Sequence, residues 1–332
     1  MRFFLTFSRR VVDLAMLLIA TDEAGYGPKL GPLVIAATVW QIPGRGLDHH
    51  SIDAFFDQLR APAKIGETKI RVDDSKSVFK PGAGLAALHA VVSASHSACG
   101  RHERSLQEIL PRMAADDLPS IKATPWLAGL SDAKFLDAAE TGEWISAWQS
   151  TGIRLVDVQS RVITAAKFNE ACADGFNKAD LLSESTIGLA KSAMDRHGGN
   201  ETDVAIYCDR HGGRRYYSGV LGHVFEDATV QVIEEAKRRS AYRMTDRGKT
   251  IEIAFTVKGD SFTPVALASM HAKYLRERMM ESLNGFFAER HPRGKVLVPT
   301  AGYPVDADRF LADIDATIRR QNINPSTLIR SR

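Results

Sequence analysis

Two adjacent carboxylates, Asp22 and Glu23, end one apolar run of the chain and precede a glycine-rich turn into a second apolar run. Apolar runs bounded by glycine and proline are typical of buried strands. A carboxylate that leaves water is costly unless it is paired or binds a metal ion. A solvated hairpin rim is the alternative interpretation. Gly25, Gly27 and Gly31 leave bare backbone beside the acids, however, and this favours close approach by a ligand.

Four further blocks follow in a fixed order: Asp74-Ser75-Lys76, the strand 204–209 ending in Asp209, the segment 257–276 containing Asp260, and Gly302-Tyr303-Pro304. Together with the first segment, these blocks resemble the signature of the ribonuclease HII family. That signature has Asp-Glu at the end of its first strand, followed by Ala-Gly-Arg-Gly-Pro. The resemblance implies an α/β protein of the ribonuclease H-like fold, with a mixed five-stranded sheet flanked by helices.

Phosphodiester hydrolysis requires an activated water, a neutralised phosphate and a stabilised leaving oxygen, and two divalent cations about 4 Å apart supply all three. Mg²⁺ and Mn²⁺ are hard ions that prefer oxygen ligands. The resemblance assigns both catalysis and the binding of two such ions to Asp22, Glu23, Asp209 and Asp260, with Asp22 bridging the ions. Clustered carboxylates repel one another without cations, so their convergence would itself imply a metal.

The same resemblance implies how a nucleic acid would be recognised. Backbone groups of Gly25, Tyr26 and Gly27 would hold the ribonucleotide and read its 2′-hydroxyl, and Tyr303 would stack on the next sugar. Three cationic side chains would grip phosphates, unless they are solvated surface charges: Lys76, Lys273 and Arg276.

The chain departs from the family signature at several positions. Tyr26 stands where the family has arginine, so contacts of that arginine are lost although backbone reading is compatible with the change. His211 lies in a glycine-rich turn after Asp209; a turn role is the more common one for such a histidine, and a role beside the metal is the alternative. His271 replaces an aliphatic residue in the helix expected after Asp260.

The blocks divide the chain into four parts. We expect an N-terminal extension over 1–15, a catalytic domain over 16–95 plus 151–320, a helical insertion over 96–150 and a loosely ordered tail over 321–332. The insertion has no counterpart in the family signature. It contains three tryptophans that are expected to be core residues: Trp126, Trp144 and Trp148.

Composition is that of an ordinary globular protein, with 332 residues, 44% hydrophobic and 25% charged. The net charge of +3 means that contact with nucleic acid depends on local patches. One basic segment is a candidate, although a solvated face is its more common explanation; it contains Arg210, Arg214, Arg215, Lys237, Arg238, Arg239, Arg243, Arg247 and Lys249. Three scattered cysteines, and no apolar run near the ~20 residues that a membrane span needs, favour a cytoplasmic protein.

Two classes of function follow, and a third is open. The first is a metal-dependent endonuclease that cuts the RNA strand of RNA/DNA hybrids, or the 5′ side of ribonucleotides embedded in duplex DNA, leaving 3′-hydroxyl and 5′-phosphate ends. The second is a nucleic-acid-binding protein of the same fold with little or no hydrolysis. The third is a nuclease acting on DNA structures, because Tyr26 alters the ribose reader.

Overall fold

The structure, a computed structural model, describes residues 15–44, 46, 49–79, 84–128, 130, 132–199, 203–292 and 296–331. Within these residues the chain forms nine strands. They are β1 (Ala15–Ala24), β2 (Leu33–Pro43), β3 (Ala63–Ile65), β4 (Thr68–Ile70), β5 (Arg154–Ile163), β6 (Val204–Asp209), β7 (Thr229–Glu235), β8 (Arg239–Asp246) and β9 (Lys249–Thr256).

The helices in the described part of the chain vary from one turn to the long helix that follows Asp260. They are α1 (His49–Ala54), α2 (Asp57–Arg60), α3 (Ser75–Val78), α4 (Ala86–Ala98), α5 (Leu106–Met113), α6 (Leu118–Ala123), α7 (Ala138–Gln149), α8 (Ala165–Ala173), α9 (Lys178–His197), α10 (Ser218–Val224), α11 (Thr263–Glu289), α12 (Pro304–Arg320) and α13 (Pro325–Leu328). Short 3-10 helices span Ala115–Asp117 and Gly259–Ser261. None of the helices that are described here has the length and apolarity to cross a bilayer.

One large mixed sheet organises the molecule, in the order β5-β2-β1-β6-β9-β8-β7, and β3 and β4 form a separate hairpin. Strands β1, β6 and β9 run parallel, whereas the other neighbours are antiparallel. The predicted α/β class with a mixed sheet flanked by helices is confirmed. The sheet has seven strands where five were expected, because the alternating segment before β9 adds β7 and β8 at one edge. Arg247 and Gly248 both take positive φ in the turn between β8 and β9, as the tight hairpin turns that suit sheet twist require.

Strand β1 is buried on both faces, which explains why its sequence is continuously apolar. Met16, Leu18 and Ala20 contribute to the core under α11, whereas Leu17 and Ile19 contribute to the core under α9. Successive side chains of a strand point to opposite faces. Asp22 has the same parity as Ala20 and therefore faces α11, and this face becomes the side of the candidate site.

The expected insertion 96–150 is helical, and its aromatic residues belong to the main core. Trp126, Trp144 and Trp148 are all buried, as predicted. The Trp148 ring lies edge-on to the ring of Trp40 from strand β2, with a centroid separation of 5.6 Å. Helix α4 crosses the predicted boundary at residue 96. The insertion and the sheet therefore share one hydrophobic cluster.

The structure bears on only one of the two predictions for the ends of the chain. The predicted extension 1–15 lies outside the described residues except for Ala15, which begins β1. The tail was expected to be loosely ordered. Instead, Asn324 caps α13, Leu328 is buried, and Leu30 and Ile329 form an antiparallel bridge. The polar sequence of the tail favoured disorder, but long-range contacts with the loop after β1 give it a packed position.

Replacing Trp148 by alanine tests whether the insertion and the sheet unfold together. Trp148 is 1% exposed, so we expect Trp148→Ala to lower the free energy of unfolding by about 3–5 kcal/mol in urea denaturation. Tyr216→Ala, which removes a ring that is 61% exposed, is the matched control and should cost far less. A separate early transition in the wild type, with an unchanged main transition in Trp148→Ala, would show that the insertion folds on its own.

Candidate active site

Asp22 and Asp209 lie side by side at the ends of two parallel strands. Strand β1 pairs with β6 in a register that ends at Thr21 opposite Cys208, so the next residues along are Asp22 and Asp209. Tyr207, two residues before Asp209, packs on the α11 side of the sheet. Because side chains alternate, Asp209 faces the same side as Asp22. The fold thus brings together two acids that are far apart in sequence.

Burial and repulsion both act on Asp22. Its side chain is buried, and burial, followed by the charges of Glu23 and Asp209, raises the pKa of the Asp22 carboxyl well above its usual value of 3.8. A hydrogen bond from Ser269 on α11 and one from the Glu23 backbone N–H, with N and Oδ1 2.7 Å apart, favour the charged form. The three carboxyl groups therefore share one electrostatic environment at this sheet edge.

Gly259 brings Asp260 to the same edge. The Gly259 N–H donates to Asp209 Oδ1 at 2.7 Å, and a Cβ atom at residue 259 would lie only 2.9 Å from the Asp209 Cα. Only glycine allows the 3-10 helix Gly259–Ser261 to pass this close to β6. Asp260 follows directly, so its backbone is fixed beside the end of β6.

The four predicted acids supply the hard oxygen donors that Mg²⁺ and Mn²⁺ prefer. They lie at two neighbouring strand ends and at the junction between β9 and α11. Within the described residues, no three His, Cys, Asp or Glu side chains converge into a group that could hold a metal ion. The acids fit a divalent cation in donor chemistry, and their backbones lie at neighbouring positions of the sheet.

The turn at Gly25, Tyr26 and Gly27 follows the acids directly. Gly25 has a φ of +91°, and a Cβ there would lie 2.6 Å from Arg276 Nε, so glycine is required on both counts. The Tyr26 ring carries Lys178 Nζ 4.4 Å from its centroid, a cation-π contact. Tyr26, which stands where the ribonuclease HII signature has arginine, is thus itself paired with a cation.

Tyr303 lies beside the Gly27 end of this turn. Its ring is 53% exposed, and a Cβ at Gly27 would lie 3.6 Å from Tyr303 Cε1. The neighbouring Gly302 accepts hydrogen bonds from Lys29 N at 2.7 Å and Leu30 N at 3.1 Å. The structure therefore brings Tyr303 next to the predicted ribose-reading turn, with its ring open to solvent.

The three predicted phosphate ligands have different positions. Arg276 is 2% exposed and donates to Ala301 O at 2.9 Å and to Glu277 at 3.2 Å, so in this structure it supports the two substrate segments from behind. Its place as a phosphate ligand is not supported, because the guanidinium is buried and its hydrogen bonds go to Ala301 O and Glu277. Lys273 pairs with Glu277 at 2.7 Å. Lys76 belongs to α3, and its side chain lies outside the described part.

His211 and His271 are buried groups rather than site residues. His211 Nδ1 lies 3.1 Å from Ser183 Oγ, and burial lowers the pKa of His211 to about 3. His271 Nδ1 donates to Leu267 O at 2.8 Å, and burial lowers the pKa of His271 to about 4. Both histidines are therefore uncharged at neutral pH, and the burial of His211 agrees with the turn role considered more common for it.

Much of the basic segment serves the protein itself. Arg210 is buried and donates to the carbonyls of Ala236 and Lys237. Side chains of the segment also bind protein oxygens in the pairs Arg214–Asp180, Arg215–Glu235 carbonyl, Arg239–Glu234, Arg243–Glu252 and Lys249–Gly198 carbonyl. These partners leave the segment less suited to a continuous backbone-binding face than its sequence suggested.

Sequence reasoning missed three polar residues that build the site. Ser75 and Ser269 are buried, and their hydroxyl oxygens are hydrogen-bonded at 3.0 Å, which links the Asp-Ser-Lys block to Asp22. The position of Ser75 inside that block, and of Ser269 on the same helical face as Lys273, was the available signal. Arg330 gave no local signal, yet its guanidinium donates to Gly25 O at 2.7 Å.

Comparison with known proteins finds related solved structures but no sequence family. No protein-family model and no curated protein matches this chain. Among solved structures, ribonuclease H2 from Pyrococcus horikoshii OT3 is similar over 94% of this chain and 92% of that one, with 16% identity and a TM-score of 0.46. RNase HII of Archaeoglobus fulgidus, solved with PCNA, is similar over 96% and 95%, with 16% identity and a TM-score of 0.44. Bst-RNase HIII, solved with Mn²⁺, is similar over 96% and 67%, with 16% identity and a TM-score of 0.43.

Replacing Gly259 tests the close approach that places Asp260. An added methyl group meets the Asp209 backbone at 2.9 Å, so we expect Gly259→Ala to destabilise the protein by about 1–3 kcal/mol in urea denaturation. Gly285→Ala is the control, since a Cβ there meets nothing within 4 Å, and it should stabilise α11 by up to ~1 kcal/mol. Equal effects of the two substitutions would contradict the crowded contact.

The raised pKa of Asp22 predicts a pH dependence of stability. The folded state binds the Asp22 proton more tightly than the unfolded state, so the wild type loses stability as pH rises above 3.8 towards the folded pKa. In chelator, Asp22→Asn should therefore gain about 1.4 kcal/mol over the wild type for each pH unit in that window. Urea denaturation across pH measures the difference. Asp315→Asn, at a side chain that is 53% exposed, is the control. If the free energy of unfolding varied with pH in the same way for Asp22→Asn and the wild type, the raised pKa of Asp22 would be contradicted.

Proposed function

We propose that this protein is a divalent-cation-dependent endonuclease of the ribonuclease H type that cuts the RNA strand of RNA/DNA hybrids or the 5′ side of ribonucleotides in duplex DNA. The observation that carries the proposal is one juxtaposition. The end of β1, which bears Asp22 and leads directly into the Gly25–Gly27 turn, lies beside the end of β6, which bears Asp209. Tyr303 lies beside Gly27 of that turn. Acids for phosphate chemistry and a backbone reader for the sugar thus meet at one edge of the sheet.

Asp22, Glu23, Asp209 and Asp260 would bind the cations in this proposal. Bound Mg²⁺ or Mn²⁺ would supply an activated water and neutralise charge on the phosphate. The remaining chemistry belongs to the chain. Ser269 orients the Asp22 carboxyl through its hydrogen bond, and the Gly259 N–H fixes Asp209. Hydrolysis would leave 3′-hydroxyl and 5′-phosphate ends.

Recognition of ribose would come from backbone rather than from a side chain. A 2′-hydroxyl can both donate and accept a hydrogen bond, and it alone distinguishes RNA from DNA at a given nucleotide. The glycines of the Gly25–Gly27 turn allow a sugar to approach the main chain closely. The exposed Tyr303 ring beside Gly27 would stack on the next sugar. Lys273 would remain a candidate phosphate contact at the rim.

Cleavage of three end-labelled duplexes tests the proposal: an RNA/DNA hybrid, a DNA duplex with one ribonucleotide, and an all-DNA duplex. We expect cutting only of the ribose-containing duplexes, with Mg²⁺ or Mn²⁺ but not with EDTA. Asp209→Asn should lower the rate by at least ~100-fold, since loss of even an outer partner of a metal site costs 10–100-fold. Asp315→Asn, at an exposed pair with Arg319, should cut like the wild type.

The other outcomes of this experiment are equally definite. Intact duplexes that still bind the protein would mean that the fold serves recognition without hydrolysis. Equal cutting of the all-DNA duplex would mean a nuclease directed at DNA, for which the replacement of arginine by Tyr26 would be the first residue to examine. Either result overturns the proposed ribonuclease activity.

A further inference from the structure

The tail packs as a strap against the loop that follows β1. We call residues 323–331 the C-terminal strap. Asn169 on α8 holds it, donating from Nδ2 to Ser326 O at 2.7 Å and to Ile329 O at 2.8 Å. Asn169 Oδ1 also accepts from Ser331 N at 2.6 Å. The strap is therefore tied to the body of the protein by side-chain contacts that do not involve the predicted substrate loop.

Arg330 joins the strap to both ends of the predicted ribose-reading turn. Its Nη2 donates to Gly25 O at 2.7 Å and to Pro28 O. Its backbone N donates to Lys29 O at 3.0 Å. One residue thus binds three carbonyls on a short loop, two of them with a rigid, planar guanidinium. The carbonyls that flank Tyr26 and Gly27 are held in a fixed direction as a result.

The guanidinium of Arg330 is buried, and burying a charge is costly for a residue that only anchors the strap. Arg330 is 3% exposed, and its Nε and Nη1 atoms have no hydrogen-bond partner among the described residues. Arg330 forms no salt bridge with a carboxylate in that part of the chain, and its guanidinium carbon lies 5.2 Å from the centroid of the Phe168 ring. A buried cation without a carboxylate partner is costly. Asn169 and the buried Leu328 also anchor the strap.

The direction of the Gly25 carbonyl also fixes the direction of a donor. In a trans peptide the carbonyl and the following N–H point in opposite directions. Since Arg330 draws the Gly25 oxygen towards the interior, the Tyr26 N–H points away from Arg330. The polarity of the peptide bond at the centre of the turn is therefore set by a residue whose separation in sequence is 305.

We propose that Arg330 is a positioning residue for ribose recognition: it holds the Gly25 and Pro28 carbonyls inward so that backbone donors of the Gly25–Gly27 turn face the substrate 2′-hydroxyl. The proposal rests on the proposed function and deepens it by making the strap part of the substrate site. Arg330 does not touch the substrate. It acts through the loop, and the acids at the strand ends do not depend on it.

Steady-state cleavage and hydrogen exchange test this role in the full chain. We expect Arg330→Gln to lower kcat/KM for the duplex with one ribonucleotide about tenfold, mainly through KM, because two hydrogen bonds from a charged donor are lost. The binding preference over the all-DNA duplex, measured as a ratio of Kd values, should shrink by the same factor. Arg330→Lys should fall between, since an ammonium keeps the charge and can donate to both carbonyls but lacks the fixed planar geometry of the guanidinium. Exchange of the Lys29 and Leu30 amides should accelerate in Arg330→Gln.

Two further variants provide a second test and a control. Asn169→Ala loosens the strap without touching the loop and should shift KM and amide exchange in the same direction, which keeps the proposal testable if Arg330→Gln folds poorly. Arg319→Gln is the matched control, because that side chain is 79% exposed, and it should change neither readout.

The outcomes separate this proposal from the proposed function. If the wild type cuts no duplex, the ribonuclease assignment fails and the ribose role fails with it, while exchange still decides whether Arg330 positions the loop. If the wild type cuts and both Arg330→Gln and Asn169→Ala leave exchange unchanged, the positioning role is overturned. Faster exchange with unchanged preference for the ribonucleotide would show that Arg330 holds the loop without serving recognition, which also overturns the proposal.

Discussion

The parallel pairing of β1 with β6 is the constraint on which the candidate site depends. It continues to Thr21 opposite Cys208, and one more residue on each strand sets two carboxylates on the same face. Burial, and then the charges of Glu23 and Asp209, raise the pKa of the Asp22 carboxyl at this position. The ends of β1 and β6 therefore favour a bound positive charge. Gly259 brings Asp260 to the same place.

A cluster of opposite sign lies behind the adjoining turn. Burial, and then the charge of Arg276, lowers the pKa of the Arg330 guanidinium to about 9. Burial, and then the charge of Arg330, lowers the pKa of Lys178. These cations contact the Gly25–Gly27 turn, which directly follows Asp22 and Glu23 in the chain. A short loop thus lies between a group of carboxylates and a group of buried and half-buried cations.

The elements with strong local signals were predictable from the sequence, and those defined by distant contacts were not. Buried strands around Asp22, the helix at Pro264 and the core tryptophans follow from apolar patterning, and the structure confirms them. The segments that form the extra strands β7 and β8 have alternating apolar and polar residues in sequence. Their addition to the large sheet depends on strand pairing that no local pattern encodes. Arg276 and Arg330 look like surface cations in sequence, because their burial is decided by carbonyls of residues far along the chain.

The contact between Arg330 and Gly25 also has a consequence for the order of folding. These residues are 305 positions apart, and contacts of such separation form late because closing a long loop costs entropy before the contact repays it. During synthesis, β1 and its acids leave the ribosome early, while the loop beside them lacks its guanidinium until residue 330 has emerged. A nascent chain therefore carries the acids before it carries the guanidinium that holds the adjoining turn. Completion of the strap is the step that makes the two coincide.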